Sequence, residues 1–330
     1  MSDDNATTDY NYTDSDDSYN DSYYDEPAVV IFIDIRYGLY GIQGIGLLIE
    51  LIFFFVMVRN WCQKTTPLRS AFFYLLTLKT VNDFFYMLYI LVTWIWSESL
   101  SDFYDDTGFI YFSFCAEVDT LCQLAIAMNR FTALMMMLKH EMIWSTIVTF
   151  SFLIVIPCLS ALLTYGEMKL YYITTNSTIA FYDSHKLILI ICSLVLILIP
   201  VFKDLCKPAS ENSSNSIVFV NSSMSTNSNK QKAEKQLLYE TIFTCFWKSV
   251  NIINYAVYTQ IETSYVASLS MSMVMDFALI VSNVGGLVVL PFISSVARKG
   301  FKHAFRIGRD ENSVSVVTGF TTVKKPVIMK

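Results

Sequence analysis

Seven charged side chains lie well inside long apolar stretches of this chain, away from the ends of the stretches, where charges are rare. They are Glu50, Lys79, Asp83, Glu117, Asp119, Lys248 and Asp276. A charge in hydrocarbon costs at least about 2.5–3.5 kcal/mol, so in a membrane such side chains face the protein interior and pair with one another. At the helical rise per residue, Lys248, Asp119 and Asp83 all fall roughly 16–18 Å from one end of their stretches. We therefore predict that Lys248 pairs with Asp119 or Asp83, either in a static ion network or as part of a switch.

Arg130 ends the third apolar stretch, between Asn129 and Phe131. One interpretation is a membrane anchor, because the long stem of arginine lets its guanidinium reach the membrane surface. The other is a functional residue at the end of a helix bundle, with Asn129 and Phe131 as its neighbours. In that case Glu240, near the start of the sixth stretch, is a candidate partner on another helix.

Asp276 lies between one end and the middle of the last stretch. With Tyr111 and Trp247 it is predicted either to line a ligand cavity or to serve helix packing. The three histidines are far apart in the chain, and no metalloprotease, phosphate-loop or nucleophile-elbow motif is present. We therefore predict no enzymatic activity, no cofactor and no metal site.

The elements that must position these residues are seven apolar stretches. They cover residues 37–58, 71–96, 109–136, 143–165, 187–206, 237–260 and 266–294. About 20 apolar residues cross a bilayer as a helix, because the backbone finds no water there to bond with. Charged residues make up only 16% of the chain, whereas a soluble domain carries about a quarter, so an ordinary soluble domain is excluded. The predicted fold is an all-α membrane protein, a bundle of seven transmembrane helices.

The two sides of the membrane follow from the charges. Residues 1–28 contain nine acidic and no basic residues, whereas Lys and Arg collect in the first, third and fifth connections and after residue 297. The positive-inside rule then predicts an extracellular N-terminus and a cytoplasmic C-terminus, in the plasma membrane. Four N-x-S/T triplets on the external side are predicted glycosylation sites: Asn5, Asn11, Asn20 and Asn176.

The chain then divides into four segments. Residues 1–28 form an acidic extracellular tail with almost nothing to bury, which predicts disorder, and residues 29–297 form the bundle. In 298–309, basic residues alternate with Phe301, Ala304 and Phe305 on one helical face, which predicts a short amphipathic eighth helix on the inner leaflet. Residues 310–330 are a cytoplasmic tail. The Ser-, Asn- and Lys-rich connection 207–235 is predicted to be mobile.

Two of these features resemble rhodopsin-like G-protein-coupled receptors. Asn129-Arg130-Phe131 resembles their Asp-Arg-Tyr triplet at the end of the third helix, although the acidic residue is missing. Pro291 resembles the proline of their Asn-Pro-x-x-Tyr sequence, with Leu290 and Ser294 in place of the Asn and the Tyr. The alternative for Pro291 is a proline that merely kinks its helix.

Residues 128–134 (Met-Asn-Arg-Phe-Thr-Ala-Leu) and 139–144 (Lys-His-Glu-Met-Ile-Trp) resemble the nematode serpentine chemoreceptors, in the superfamily around the gamma class. The resemblance implies a chemosensory receptor that binds a small molecule or a peptide outside the cell. It also implies coupling to a heterotrimeric G protein through Arg130, Asn129 and Phe131. The bilayer is the other expected partner, and no nucleic acid is expected.

Two other functions stay open at this point. A transporter or channel would use the intramembrane charges as a path for ions or protons. A scaffold or decoy without signalling would fit the missing receptor residues at the ends of the third and seventh helices.

Overall fold

The computed structural model describes residues 27–62, 68, 70–95, 101–171, 177–206, 222–260 and 265–305. Every regular element within them is a helix. The helices are α1 (Pro27–Trp61), α2 (Ala71–Ile95), α3 (Ser101–Met135), α4 (Met137–Ile143), α5 (Thr146–Tyr171), α6 (Ser177–Leu205), α7 (Ser222–Gln260), α8 (Tyr265–Ile280), α9 (Gly286–Ile293) and α10 (Ser295–Phe305). A single π-helical turn, Val281–Gly285, joins α8 to α9, so these three form one long helix.

Six of the described helices are long and apolar enough to cross a membrane. The qualifying segments are Val30–Trp61, Ala71–Thr93, Thr107–Met135, Thr146–Lys169, Ser184–Lys203 and Ala267–Ile293. The all-helical, multi-pass architecture predicted from the sequence is therefore confirmed. Six of the seven predicted stretches correspond to these segments.

Helix α7 holds the remaining predicted stretch, and it is not among those six. It is 39 residues long, and its first part is rich in Ser, Asn and Lys. The connection 207–235, which was predicted to be mobile, is helical from Ser222 onward. Lys, Glu, Gln, Ala and Leu in residues 230–238 are good helix formers, and a helix propagates more easily than it nucleates.

Helix α3 lies at the centre of the bundle and packs against α2, α5, α6 and α7. Its inward-facing residues are therefore surrounded by four helices, and about half of the buried ones are polar. Glu117, Asp119, Gln123, Asn129 and Arg130 are all buried. The end of the bundle at which α1 and α3 finish and α2 and α7 begin is called the Arg130 end.

At the Arg130 end, α10 packs on α1. The ring centroids of Phe53 and Phe301 are 6.4 Å apart. The Asn60 side-chain amide donates to the Gly300 carbonyl oxygen at 3.2 Å. Gly300 has no room for a side chain, since a Cβ there would lie 2.3 Å from Leu68 Cδ1. Helix α10 begins three residues before the predicted eighth helix, and residues 306–309 lie outside the described part of the chain.

Candidate functional site

A chain of four alternating charges crosses the middle of the bundle. Lys79 and Asp83 pair one turn apart on α2. Lys79 Nζ also lies 3.2 Å from Asp119 Oδ1 on α3. The other oxygen of Asp119 pairs with Lys248 on α7. Of the two partners expected for Lys248, the structure brings Asp119 to it. We call Asp83, Lys79, Asp119 and Lys248 the ionic chain, and it ties α2, α3 and α7 together.

Glu50 on α1 lies beside the ionic chain without joining it. Its side chain is buried, with 1% of the residue exposed. Neither carboxylate oxygen has a hydrogen-bond partner among the described residues. Asp83 and Lys79 are its charged neighbours. A carboxyl group buried this way is costly unless it is protonated or meets a partner that moves toward it.

A second charged cluster joins α3, α5 and α6 at the end opposite Arg130. His185 Nε2 lies 2.8 Å from Glu117 Oε1. Lys186 Nζ lies 3.6 Å from a carboxylate oxygen of both Glu117 and Glu167. The Ser113 hydroxyl donates to Glu167. The sequence analysis expected Glu117 to pair inside the bundle but named no partner for it, and it assigned no role to Ser113, Glu167, His185 or Lys186.

Between these two clusters lies a cavity of about 410 Å³. Its wall includes Asp83, Asp119 and Lys248 of the ionic chain, and Glu167 and Lys186 of the second cluster. Aromatic and aliphatic side chains cover much of the remainder. A volume of this size falls within the range of small-molecule sites, which combine apolar walls with a few polar groups.

Of the three residues predicted to line a ligand cavity, Asp276 does and the other two do not. Tyr111 lines a separate recess between α2, α3 and α5. Trp247 packs edge-on against Phe277, with ring centroids 5.5 Å apart. The reason is helical geometry, because consecutive side chains on a helix point about 100° apart. Phe112 and Lys248 face the cavity, so Tyr111 and Trp247, each one residue earlier, point away from it.

Asp276 also faces a cation from the first helix. Its Oδ2 lies 3.6 Å from Arg36 Nε, and both side chains are partly exposed. The contact joins α1 to α8 on the same side of the bundle as the cavity. Asp276 therefore ties two helices together and also lines the cavity.

At the other end of α3, Arg130 is almost completely buried, with 2% of the residue exposed. Its guanidinium carbon lies 4.1 Å from the centre of the Phe72 ring, in the first turn of α2. Its Nη2 donates to Asn129 Oδ1 at 2.7 Å. Its Nη1 pairs with Glu234 on α7. Phe131, the third predicted coupling residue, is only partly buried.

The prediction that Glu240 is the partner of Arg130 is wrong, since Glu234 takes that place. Glu234 lies six residues, or roughly 9 Å, nearer the Arg130 end of α7. The long arginine stem carries its guanidinium to that level, beside Phe72. Glu240 instead faces the last long helix, where a Cβ on Gly286 would come within 2.9 Å of its carboxylate.

The two segments that carry the chemoreceptor resemblance are in contact. The Trp144 indole donates to the Thr132 hydroxyl at 2.8 Å. Thr132 Oγ1 also lies 3.1 Å from His140 Nδ1. Helix α4 thus folds back against the end of α3, two residues beyond Arg130.

Pro291 lies in α9, after the π-helical turn. Because proline has no backbone N–H, the Leu287 carbonyl loses a helical partner at that point. Helix α9 ends at Ile293, and Ser294 adopts an extended conformation before α10 begins.

The four predicted glycosylation sites, Asn5, Asn11, Asn20 and Asn176, lie outside the described residues. No protein-family model and no curated protein matches this chain.

Proposed function

We propose that this chain is a seven-helix G-protein-coupled receptor of the chemosensory type, resembling the nematode serpentine receptors. The observation that carries the proposal is that α7 is tied to α3 at two levels. Lys248 pairs with Asp119 in the cavity wall, and Glu234 pairs with Arg130 at the end of the bundle. A ligand that changes the first pair can therefore change the second, roughly 16–21 Å away along the same two helices.

The proposal requires α7 to cross the membrane as a seventh span. Its residues Leu237, Leu238, Thr241 and Cys245 are buried in the bundle. Lys248 reaches a carboxylate in the middle of α3, which is itself apolar enough to span. A membrane-crossing helix in this position can be less apolar than its neighbours, because its charged side chains face the bundle interior and are paired.

Sidedness gives the first test. With seven spans, an N-terminal tag on intact cells binds antibody, and a C-terminal tag binds only after permeabilisation. Enzymatic removal of N-linked glycans should also increase gel mobility, and replacing Asn5, Asn11 and Asn20 with Gln should abolish most of that change. Six spans would instead leave both tags on the same face, and that result would contradict the receptor assignment.

In this receptor the Arg130 end faces the cytoplasm and the cavity opens toward the outside. The resting state keeps both α3–α7 pairs closed. A ligand that prefers the state with α7 displaced shifts the population toward it and exposes Arg130 to a G protein. Helix α10, with its basic residues beside the bundle, lies on the inner leaflet next to that opening.

Removal of Arg130 tests the coupling role. Membranes containing the chain should accelerate nucleotide exchange on added heterotrimeric G proteins, and Arg130→Ala should reduce the rate to that of membranes without the chain. Arg59→Ala is the matched control, because Arg59 lies at the same end of the bundle, on α1, without contacting Glu234. Equal exchange in wild type and Arg130→Ala, with similar surface expression, would contradict the coupling role.

One observation favours a transporter as the second candidate. The ionic chain and Glu50 place charged groups from α1, α2, α3 and α7 side by side in the middle of the bundle. Such groups can carry protons or ions. Ion flux into liposomes that contain only this chain, abolished by Lys248→Met, would favour the transporter. Exchange that depends on Arg130, without flux, would favour the receptor.

A further inference from the structure

We infer that the cavity binds a small molecule with a carboxylate at one end and an apolar body, and that the carboxylate binds Lys248. This inference rests on the proposed function, because it names the ligand class of the proposed receptor. The inference follows from the ion pairs in the cavity wall: every carboxylate there has a cation beside it, whereas Lys248 has hydrogen-bond donors left over.

Lys248 is the end member of the ionic chain and has hydrogen-bonding capacity left. An ammonium group has three N–H donors. The structure gives Lys248 Nζ one carboxylate, Asp119, and Lys248 lines the cavity. A second carboxylate approaching from the cavity would meet an ammonium group that is largely buried, where an ionic contact is stronger than in water.

Asp119 can release Lys248 without being left unpaired. One of its oxygens lies 3.2 Å from Lys79 Nζ, and the other pairs with Lys248. A ligand carboxylate that draws Lys248 away leaves Asp119 with Lys79. Leaving a buried charge without any partner would cost several kcal/mol, and this exchange avoids that cost.

A cationic ligand meets the opposite situation. An ammonium at Asp119 would be the third cation around one carboxylate, beside Lys79 and Lys248. Asp83 already has Lys79, Glu167 has Lys186 and Ser113, and Asp276 has Arg36. Every carboxylate in the cavity wall therefore has a cation beside it, so an added amine would mainly gain repulsion or displace an existing pair.

The rest of the wall fits an apolar body. Ile90, Phe109, Phe112, Ile252 and Leu279 line it, and the Tyr86 ring adds an aromatic face. A cavity of about 410 Å³ admits a compact molecule rather than a folded peptide. The carboxylate would then lie at the α3–α7 contact, and its binding would loosen the first of the two pairs that hold α7.

Matched probes test the inference on the full chain in nanodiscs of phosphatidylcholine at neutral pH. Octanoate, octanamide and octylamine share one apolar body and differ only in the head group. A second set carries the same three heads on a phenylbutyl body. Binding is measured by calorimetry, with empty nanodiscs subtracted to remove partition into lipid. We expect the better acid to bind about tenfold or more tightly than its amide and its amine.

Two lysine variants locate the contact. Lys248→Met should reduce acid binding to the level of the amide, whereas Lys248→Arg should retain a preference for the acid. Lys203→Met is the matched control, because Lys203 is exposed on α6 and lies outside the cavity wall. If Lys248→Met does not fold, the wild-type comparison of the three heads still tests the ligand class, and loss of the acid preference in folded Lys248→Arg would contradict the contact with Lys248.

Three outcomes would overturn the inference: an amine or amide that binds as tightly as its acid, no saturable binding of either acid, or an acid preference that persists in folded Lys248→Met. The measurement contains no G protein. Acid binding without any effect on nucleotide exchange would therefore overturn the proposed function and leave the ligand class standing. Exchange activity that depends on Arg130, with no acid binding, would overturn the ligand class and leave the proposed function standing.

Discussion

Replacing Lys79 with Met should destabilise the protein by about 3–5 kcal/mol, the cost of removing one partner from a buried ion pair. Lys79 is 5% exposed and lies between two carboxylates, Asp83 and Asp119, which are 2% and 4% exposed. Without Lys79, Asp119 keeps Lys248, but Asp83 keeps no contacting cation among the described residues. The apparent melting temperature in one detergent, followed by size-exclusion chromatography after heating, measures the loss.

Two further variants separate this cause from general damage to the core. Asp83→Asn removes the carboxylate that Lys79→Met leaves behind, so the double variant should be more stable than Lys79→Met alone. Lys248→Met should lower the stability less than Lys79→Met does, because Asp119 then retains Lys79 as its partner. Lys79→Met melting like wild type, or a double variant no more stable than the single one, would contradict the ionic chain as a stabilising element.

The architecture was largely readable from the sequence because the membrane imposes a simple rule. Six stretches are apolar over enough length that the backbone must form a helix there, whatever the neighbouring helices are. Helix α7 shows where the rule weakens. Its first part is an ordinary polar helix, so the apolar stretch does not locate its start at Ser222, and α7 is not among the segments apolar enough to cross. Its Lys248 and Glu234 pair instead with charges on α3.

The site was predicted only in part, for a similar reason. The depths of Asp119 and Lys248 in the membrane follow from counting residues along their helices, so a contact between them could be predicted. The bridging position of Lys79 was not identified, although its four-residue spacing from Asp83 on one helix is a usable signal. Tyr111 and Trp247 were misplaced because the count gives depth but not the direction a side chain faces. Glu234 was missed because it lies in a polar segment that was expected to be mobile.

Loss of the Arg130–Glu234 pair should activate the proposed receptor in the absence of ligand. The pair joins α3 to α7 at the Arg130 end, and Glu234 is partly exposed, with 20% of its side chain accessible. Glu234→Gln removes the charge and keeps the shape. A hydrogen-bonded charge pair contributes about 1–2 kcal/mol, which corresponds to a shift of roughly 5–30-fold in the equilibrium between the closed and open positions of α7. Ligand-independent nucleotide exchange on an added G protein should rise accordingly.

Glu240→Gln is the decisive control, because it makes the same chemical change six residues further along α7. Glu240 is buried against Gly286 and forms no ion pair with Arg130 within the described part of the chain, so its replacement should leave ligand-independent exchange near the wild-type rate. Arg130→Ala combined with Glu234→Gln should show no ligand-independent exchange. Opening the end of the bundle cannot activate the G protein when the residue proposed to contact it is missing. Activation by Glu240→Gln but not by Glu234→Gln would mean that the contact holding α7 closed is elsewhere, and activity in the combined variant would remove Arg130 from the coupling site.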